Sequence, residues 1–347
     1  MSSHKDIQNQ YLNIRIANQT VVPFTEAIYN KNNTNPILYQ PNLYKLSVDR
    51  FQIPVDTIPL LIAERANTED FNELVYQFTV INSLGFEETR SVIYDPSDPS
   101  LSTNNPRYFY IYTYSKFIQL LNDALNACWL TAYYNEFPLE EDPPPPAIPP
   151  HFEFDPISQK LSLVVPQDFF DPTIKSPPYK IQFNYPLLRF FSGFQTQVIQ
   201  QGVQYQFSIY YRYNNIVEFP GTSFYFSMLP DYNTLSRWNS LSTVVITTNL
   251  PVNQQYVETG DQKSATNIQP ILTDFIVLYP DNNSYAATTL DLTNDERSWY
   301  DLFGSSPIRN IQLQVFWTDY KGSTYPLYLS KDTSITMKLL FRVRDDI

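Results

Sequence analysis

The closing stretch IRNIQLQVFWTDYKGSTYPLYLSKDTSITMKLLFRVR (Ile308–Arg344) decides the fold class. Ile311, Leu313, Val315 and Trp317 alternate with Gln312, Gln314 and Phe316. Further on, Ile335, Met337, Leu339, Phe341 and Val343 alternate with Thr336, Lys338, Leu340, Arg342 and Arg344. In an extended chain successive side chains point to opposite faces, so a period of two marks a strand with one buried face. Asp319–Gly322 and Ser330–Asp332 supply the turn chemistry between the two runs. A slip of one residue would carry every apolar side chain into water, which specifies the register strongly.

Working back from this pair, the same reading predicts strands at Tyr11–Ala17, Tyr44–Ile53, Leu74–Asn82, Glu87–Tyr94, Tyr108–Tyr114, Phe152–Phe154, Lys160–Val165 and Tyr179–Asn184. A second series is predicted at Tyr205–Tyr213, Ser223–Met228, Ser242–Thr248, Leu272–Tyr279, Ala286–Leu292, Arg309–Trp317, Thr324–Leu329 and Thr333–Arg344. One long helix, about 115–134, follows from Phe117, Leu120, Leu121, Ala124, Leu125, Cys128 and Ala132 at helical spacing behind Ser115 as N-cap. A short helix is predicted at about 294–303, with Trp299, Leu302 and Phe303 on one side. Each half then counts eight strands with a helix between the fifth and the sixth. The expected architecture is all-β, two eight-stranded β-sandwiches in tandem over 1–195 and 196–347, with the junction near Gly193–Gly202.

Composition agrees with strands. The 347 residues include 27 Tyr and 24 Phe, types that fit a pleated, half-buried surface. Only 7 Gly stand against 28 Pro, so loops are stiff rather than flexible. The run Pro143–Pro146, Ala147, Ile148, Pro149 and Pro150 reads as an extended surface loop. The formal net charge is −12, and residues Met1–Gln10 hold only His4 and Lys5 as cations, so direct packaging of nucleic acid by a basic arm is not expected. Met1–Gln10 lacks an apolar core and no run approaches the roughly 18 apolar residues of a membrane span. Neither membrane insertion nor secretion through a signal peptide is expected. Three sequons, at Asn18, Asn32 and Asn282, carry little weight in an Asn-rich chain.

A search for chemistry returns no catalytic, cofactor-binding or metal-ligating set. His4 and His151 are the only histidines and stand in neither a triad nor a metal context. The single cysteine, Cys128, excludes an intramolecular disulfide and reads as a small buried hydrophobe on the helix. Glycine-rich phosphate loops are absent. Paired carboxylates at Asp168/Asp171 and Asp95/Asp98 sit among Pro and Phe in loops, and read as turn residues rather than a glycosidase pair. Glu140-Glu141-Asp142 has oxygen ligands for a hard cation but no EF-hand pattern, so a solvated acidic run is expected. Tyr108, Phe109, Tyr110, Tyr112 and Tyr114 recur at strand spacing without a basic surround, which favours core or interface over base stacking.

Four stretches carry a resemblance: YKLSVDRFQIPVDTIPLLI (Tyr44–Ile62), the helix Tyr114–Ala127, WNSLSTVVITTNLP (Trp238–Pro251) and the closing Ile308–Arg344 run. Together they resemble jelly-roll capsid proteins of small eukaryotic DNA viruses, the Polinton, virophage and adenovirus-related lineage. The resemblance implies a double jelly-roll major capsid protein. Three copies would form a pseudo-hexagonal capsomer that tiles an icosahedral shell beside penton and minor capsid proteins, assembled inside the host cell. It equally admits a penton or minor capsid protein at fivefold vertices, one jelly roll with an inserted domain. A glycan- or receptor-binding sandwich is the reading from another class. No enzyme is expected.

Overall fold

The computed structural model describes residues 9–22, 24–64, 75–92, 108–138, 148–155, 157–201, 204–209, 216–218, 224–234, 238, 241–252, 255–259, 267–276, 289–292, 298–319 and 322–344. Four strands open the chain: β1 (Asn9–Ala17), β2 (Phe24–Glu26), β3 (Ile28–Asn32) and β4 (Tyr44–Pro54). A middle segment carries β5 (Leu61–Glu64), β6 (Gln77–Ile81), β7 (Glu87–Ser91), β8 (Tyr108–Ile111), helix α1 (Tyr114–Glu136), β9 (His151–Asp155), β10 (Lys160–Pro166) and α2 (Gln167–Phe170). It continues with β11 (Lys180–Asn184), α3 (Tyr185–Phe191), β12 (Thr196–Gln201), β13 (Gln204–Ile209), β14 (Ile216–Glu218) and β15 (Phe224–Met228). The closing segment holds β16 (Leu241–Thr248), β17 (Gln255–Thr259), β18 (Asn267–Ile276), β19 (Thr289–Leu292), β20 (Tyr300–Asp301), β21 (Asn310–Asp319), β22 (Thr324–Pro326), β23 (Tyr328–Ser330) and β24 (Ser334–Val343).

The chain divides into two units, Met1–Pro59 with Ser240–Ile347, and Leu60–Asn239. In the first, β1 pairs with β24 along its whole length, from Asn9 opposite Arg342 to Ala17 opposite Ser334. Eight of its strands, β1, β3, β4, β16, β18, β19, β21 and β24, form a sandwich. One sheet runs β1-β24-β4-β19, and β3 joins β21 in the order β3-β21-β16-β18 in the other. Numbered one to eight along the chain, these orders are 1-8-3-6 and 2-7-4-5, the connectivity of a jelly roll. The two inner faces meet at Phe51 of β4 and Phe275 of β18, whose rings stack with centroids 5.5 Å apart.

A change of phase in β4 explains its register. Leu46 and Val48 point inward, and so do Phe51 and Ile53, which an unbroken alternation forbids. β24 keeps a single phase from Ile335 to Phe341, all buried. The pairing therefore shifts between Lys338/Leu339, which face Arg50 and Val48, and leaves Asp49 as the extra residue of a bulge.

The second unit is inserted, in chain order, between β4 and β16. Its strands form sheets β12-β13-β11-β6-β7 and β14-β15-β10-β9, with β5-β8 as a further pair. Helix α1 packs on β6 and β7 of one sheet and on β9 of the other. It buries Phe117, Leu120, Leu121, Ala124, Leu125, Cys128, Trp129, Ala132 and Tyr133 in one continuous core. Each such large side chain is worth roughly 1.5–3 kcal/mol when fully buried. The N-cap is Thr113 rather than Ser115, because the Thr113 hydroxyl accepts from Lys116 N at 3.2 Å.

The all-β reading with a jelly-roll sandwich and one long helix describes this chain; the tandem division at 195/196 does not. The strands expected to finish a second sandwich, β21 and β24, pair instead with β3, β1 and β4. Gly193, expected at the junction, lies within the inserted unit, where a Cβ would stand 2.6 Å from the Tyr232 carbonyl oxygen and 2.9 Å from Pro230 Cβ. The helix expected at 294–303 is replaced at its end by β20, which pairs with β4; residues 293–297 lie outside the described residues.

Candidate functional site

The residues singled out for chemistry are not brought together. His151 opens β9, with Nδ1 2.8 Å from the Pro149 carbonyl oxygen and Nε2 3.1 Å from Glu153 Oε1. Asp168 lies in the first turn of α2. Asp171 is buried and accepts from Thr173 N at 2.8 Å, Thr173 Oγ1 at 2.7 Å and Gln167 Nε2 at 3.0 Å, which makes it a turn anchor. Asn18 is buried too, donating to the Val22 and Leu329 carbonyls, so its sequon is a structural corner. Tyr110 is core, and Tyr114 packs on Phe154 and Trp238. His4, Asp95, Asp98 and Glu140-Glu141-Asp142 lie outside the described residues. Among the described residues no group of His, Cys, Asp and Glu could hold a metal ion, and no helix is long and apolar enough to cross a membrane.

Cys128 is fully buried, its thiol 2.8 Å from the Glu88 carbonyl oxygen. Burial, with the Glu88 charge adding, pushes its pKa up to about 12. A thiolate is the reactive species, so an alkylating reagent is expected to leave the native chain unlabelled and to modify it fully once unfolded. Rapid labelling of the native chain, followed by intact mass, would show that the apolar face of α1 opens.

Sequence reasoning missed a polar node in the inserted unit. Glu136, the last residue of α1, accepts from Lys175 Nζ at 2.5 Å, Ser83 Oγ at 2.5 Å and Ser83 N at 3.1 Å. Beside it, Asn82 Nδ2 donates to the Ala132 carbonyl at 3.0 Å. The node ties the β6–β7 turn, the end of the helix and the segment after α2 to one another. Nothing in the spacing of Ser83, Glu136 and Lys175 announces it.

What remains is surface. On the outward side of the β1-β24-β4-β19 sheet, Lys338 pairs in register with Arg50 and Arg342 with Lys45, while Arg15 pairs with Thr336. Arg15, Arg50 and Arg342 are exposed. Lys338 Nζ reaches Asp49 at 3.3 Å and lies 4.2 Å above the ring of Tyr11, and Arg344 Nε reaches Asp301 at 3.3 Å. The opposite sheet is different: β3, β16, β17, β18, β21 and β22 contain one cation, Lys31, in register with inward-facing Ile311. Its outward side shows exposed Asp274, with Ile28 at 41% and Ile276 at 67% exposure.

The Sputnik minor capsid protein V18/19 family matches residues 10–343. Structural protein V19 of the Sputnik virophage is 29% identical over 206 residues, which span 55% of this chain and 92% of that protein. Uncharacterized protein V18 of the same virophage is 34% identical over 118 residues, 29% of this chain and 70% of that one. A chain of the Sputnik virophage structure solved by cryo-EM superposes with a TM-score of 0.70 at 28% identity, over 97% of this chain and 98% of its own length. The crystal structure of the mavirus penton protein superposes with a TM-score of 0.60 at 21% identity, over 97% and 100%, a likeness of fold. A match that runs from β1 to β24, through the jelly roll and the inserted unit alike, settles the family: this chain belongs to the Sputnik minor capsid protein V18/19 family.

Proposed function

We propose that this chain is a penton-type minor capsid protein, set as a closed fivefold ring at the vertices of an icosahedral shell, with no catalytic activity of its own. Membership of the family makes it a structural component of the capsid. The observation that carries the finer reading is the count of jelly rolls. Both ends of the chain build one sandwich, and Leu60–Asn239 is an insertion between two of its strands. A pseudo-hexagonal capsomer made from three copies needs two equivalent sandwiches in each, so a single jelly roll favours the penton alternative over the homotrimeric major capsid protein. The fold likeness to the mavirus penton protein points the same way. Its partners are then further copies of itself and the major capsid protein around the vertex.

Purified full-length chain is expected to give rings with fivefold symmetry in negative stain, and antibody against it to decorate particle vertices. Threefold capsomers, or a stable monomer at micromolar concentration, would overturn the reading.

A further inference from the structure

We infer that the outer edge of β12 pairs antiparallel with β12 of a second copy of this chain, about a twofold axis at Val198, so that two inserted units share one continuous sheet. The pairing does not depend on the fivefold ring and joins copies through a different surface.

The first support is how differently the outer strands of the inserted unit's two sheets are treated. A sheet edge presents a row of unpaired N–H and C=O groups, and folded chains blunt it with charge, brevity or a covering group. β7 holds Glu87, Glu88 and Arg90 among its five residues. β14 is three residues long and ends in Glu218. β9 is covered by a side chain: Asn122 of α1 accepts from Phe152 N at 2.7 Å and donates to the Phe152 carbonyl at 3.0 Å, standing in for a neighbouring strand. β12 has none of these devices. Its six residues, TQVIQQ, contain no charge and no proline, and it ends its sheet with β13 as its one neighbour among the described residues. Short neutral segments of this kind pair readily with a further strand.

The second support is an apolar row that runs off that edge. Phe78 of β6, Phe183 of β11, Phe207 of β13 and Val198 of β12 stand opposite one another in register. The three rings are buried, and those of Phe183 and Phe207 stack with centroids 6.3 Å apart. Val198 continues the row yet is 57% exposed, and Tyr185, 64% exposed, lies 6.2 Å from the same Phe207 ring. One more strand would extend the row and take Val198 out of water.

Both observations select a second copy as that strand. A twofold axis normal to the sheet keeps the same face of each copy on the same side, so only residues of like phase meet. Centred on Val198, it sets Val198 against Val198 and Gln197 against Ile199, and the row reads Phe207, Val198, Val198, Phe207 across the junction. The patch is thus its own complement, as an isologous contact requires. A strand with Lys or Glu opposite Val198 would have to strip water from that charge beside an apolar row. A neutral extended segment of a different polypeptide is the other occupant, and the test separates the two.

The test uses the purified full chain, by sedimentation velocity across the micromolar range, with pairing read as mass beyond that of the monomer or closed ring. Val198→Lys is expected to raise the concentration of half-pairing roughly tenfold or more, because it sets two like charges directly opposite each other. Val198→Glu should do the same. Neither should move the thermal midpoint of the unpaired chain appreciably, since position 198 is exposed there. Mixed in equal amounts under separate tags, the Lys and Glu chains should pair with each other and not with themselves, a pattern that requires residue 198 to face residue 198. Wild type that shows no added mass, added mass that ignores both substitutions, or a mixture that fails to pair overturns the inference and leaves the fivefold reading intact. Wild type that pairs but forms no fivefold ring overturns that reading and leaves the inference standing. A labelled hexapeptide of alternating Thr and Val that binds wild-type chain unable to pair with itself, and is lost with Val198→Lys, would assign the edge to another polypeptide and overturn the inference.

Discussion

Phe51→Ala is expected to lower the unfolding free energy of the jelly roll by about 3–5 kcal/mol, the range for removing a fully buried aromatic ring. Phe51 is completely buried and sits in the middle of β4, in register with Met337 of β24 on one side and Leu292 of β19 on the other. Its ring lies 6° from parallel with that of Phe275 in the opposing sheet, so it is a contact between sheets as well as along one. Truncation leaves a void where strands from both ends of the chain meet, and interiors packed at crystal density collapse only partly around such voids. Denaturant unfolding followed by Trp fluorescence measures the loss. Arg15→Ala, on the exposed side of the same sheet, serves as the control and should stay within about 0.5 kcal/mol. A Phe51→Ala loss below about 1 kcal/mol would show that the two sheets do not close on each other at this point.

How legible this fold is in its sequence depends on the range of the interaction that decides each feature. β21 and β24 are plain from their alternation, because period two is a local property. The helix is equally plain, and its start is displaced only because Thr113 and Ser115 are both competent caps two residues apart. Even the β4 bulge is written locally, in the change of phase between Val48 and Phe51. Partnership is not. Alternation says which face of a strand is buried and nothing about which strand lies beside it, so β24 gives no sign that Asn9–Ala17 is its neighbour. Equal strand counts in the two halves therefore suggested tandem sandwiches where the chain nests one unit inside the other. The polar IYNKN of β3 escaped notice for a related reason: its place is set by β21, not by an apolar rhythm of its own. At the level of sites, the acidic and histidine candidates were visible as residue types, but most resolve into turns. The Glu136 node joins Ser83, Glu136 and Lys175 across long stretches of chain, and no local spacing announces that meeting.

That node sets the second large effect. Glu136 lies at the carbonyl end of α1, where the helix dipole disfavours an anion, and its side chain is only 7% exposed. Desolvation raises its pKa, but the hydrogen bonds from Lys175 and Ser83 outweigh that and hold it below the ordinary glutamate value. Burial, with the Glu136 charge adding, pushes Tyr179 up, so the phenol beside the node stays neutral. A carboxyl with a lower pKa in the folded than in the unfolded state contributes stability above the unfolded value, about 4.3, and loses it as pH falls through the folded one. The wild type should therefore lose stability progressively below about pH 4.3, and Glu136→Gln should flatten that acid limb. Lys175→Met keeps the apolar contact over the Phe137 ring, where Lys175 Nζ stands 5.0 Å from the centroid, but leaves the carboxylate buried without its cation. Breaking a buried pair by removing one partner typically costs about 3–5 kcal/mol, and with Lys175 26% exposed the lower end, about 3 kcal/mol near neutral pH, is expected. The acid limb should shrink as well, since without the cation the folded carboxyl is held down less and differs less from its unfolded value. Urea midpoints measured from about pH 3 to about pH 7 separate the two variants by size: Glu136→Gln removes this group's slope, and Lys175→Met reduces it. A Lys175→Met chain as stable as wild type near neutrality would mean that the two Ser83 donors alone satisfy the carboxylate, and the ion pair would then be incidental to the fold.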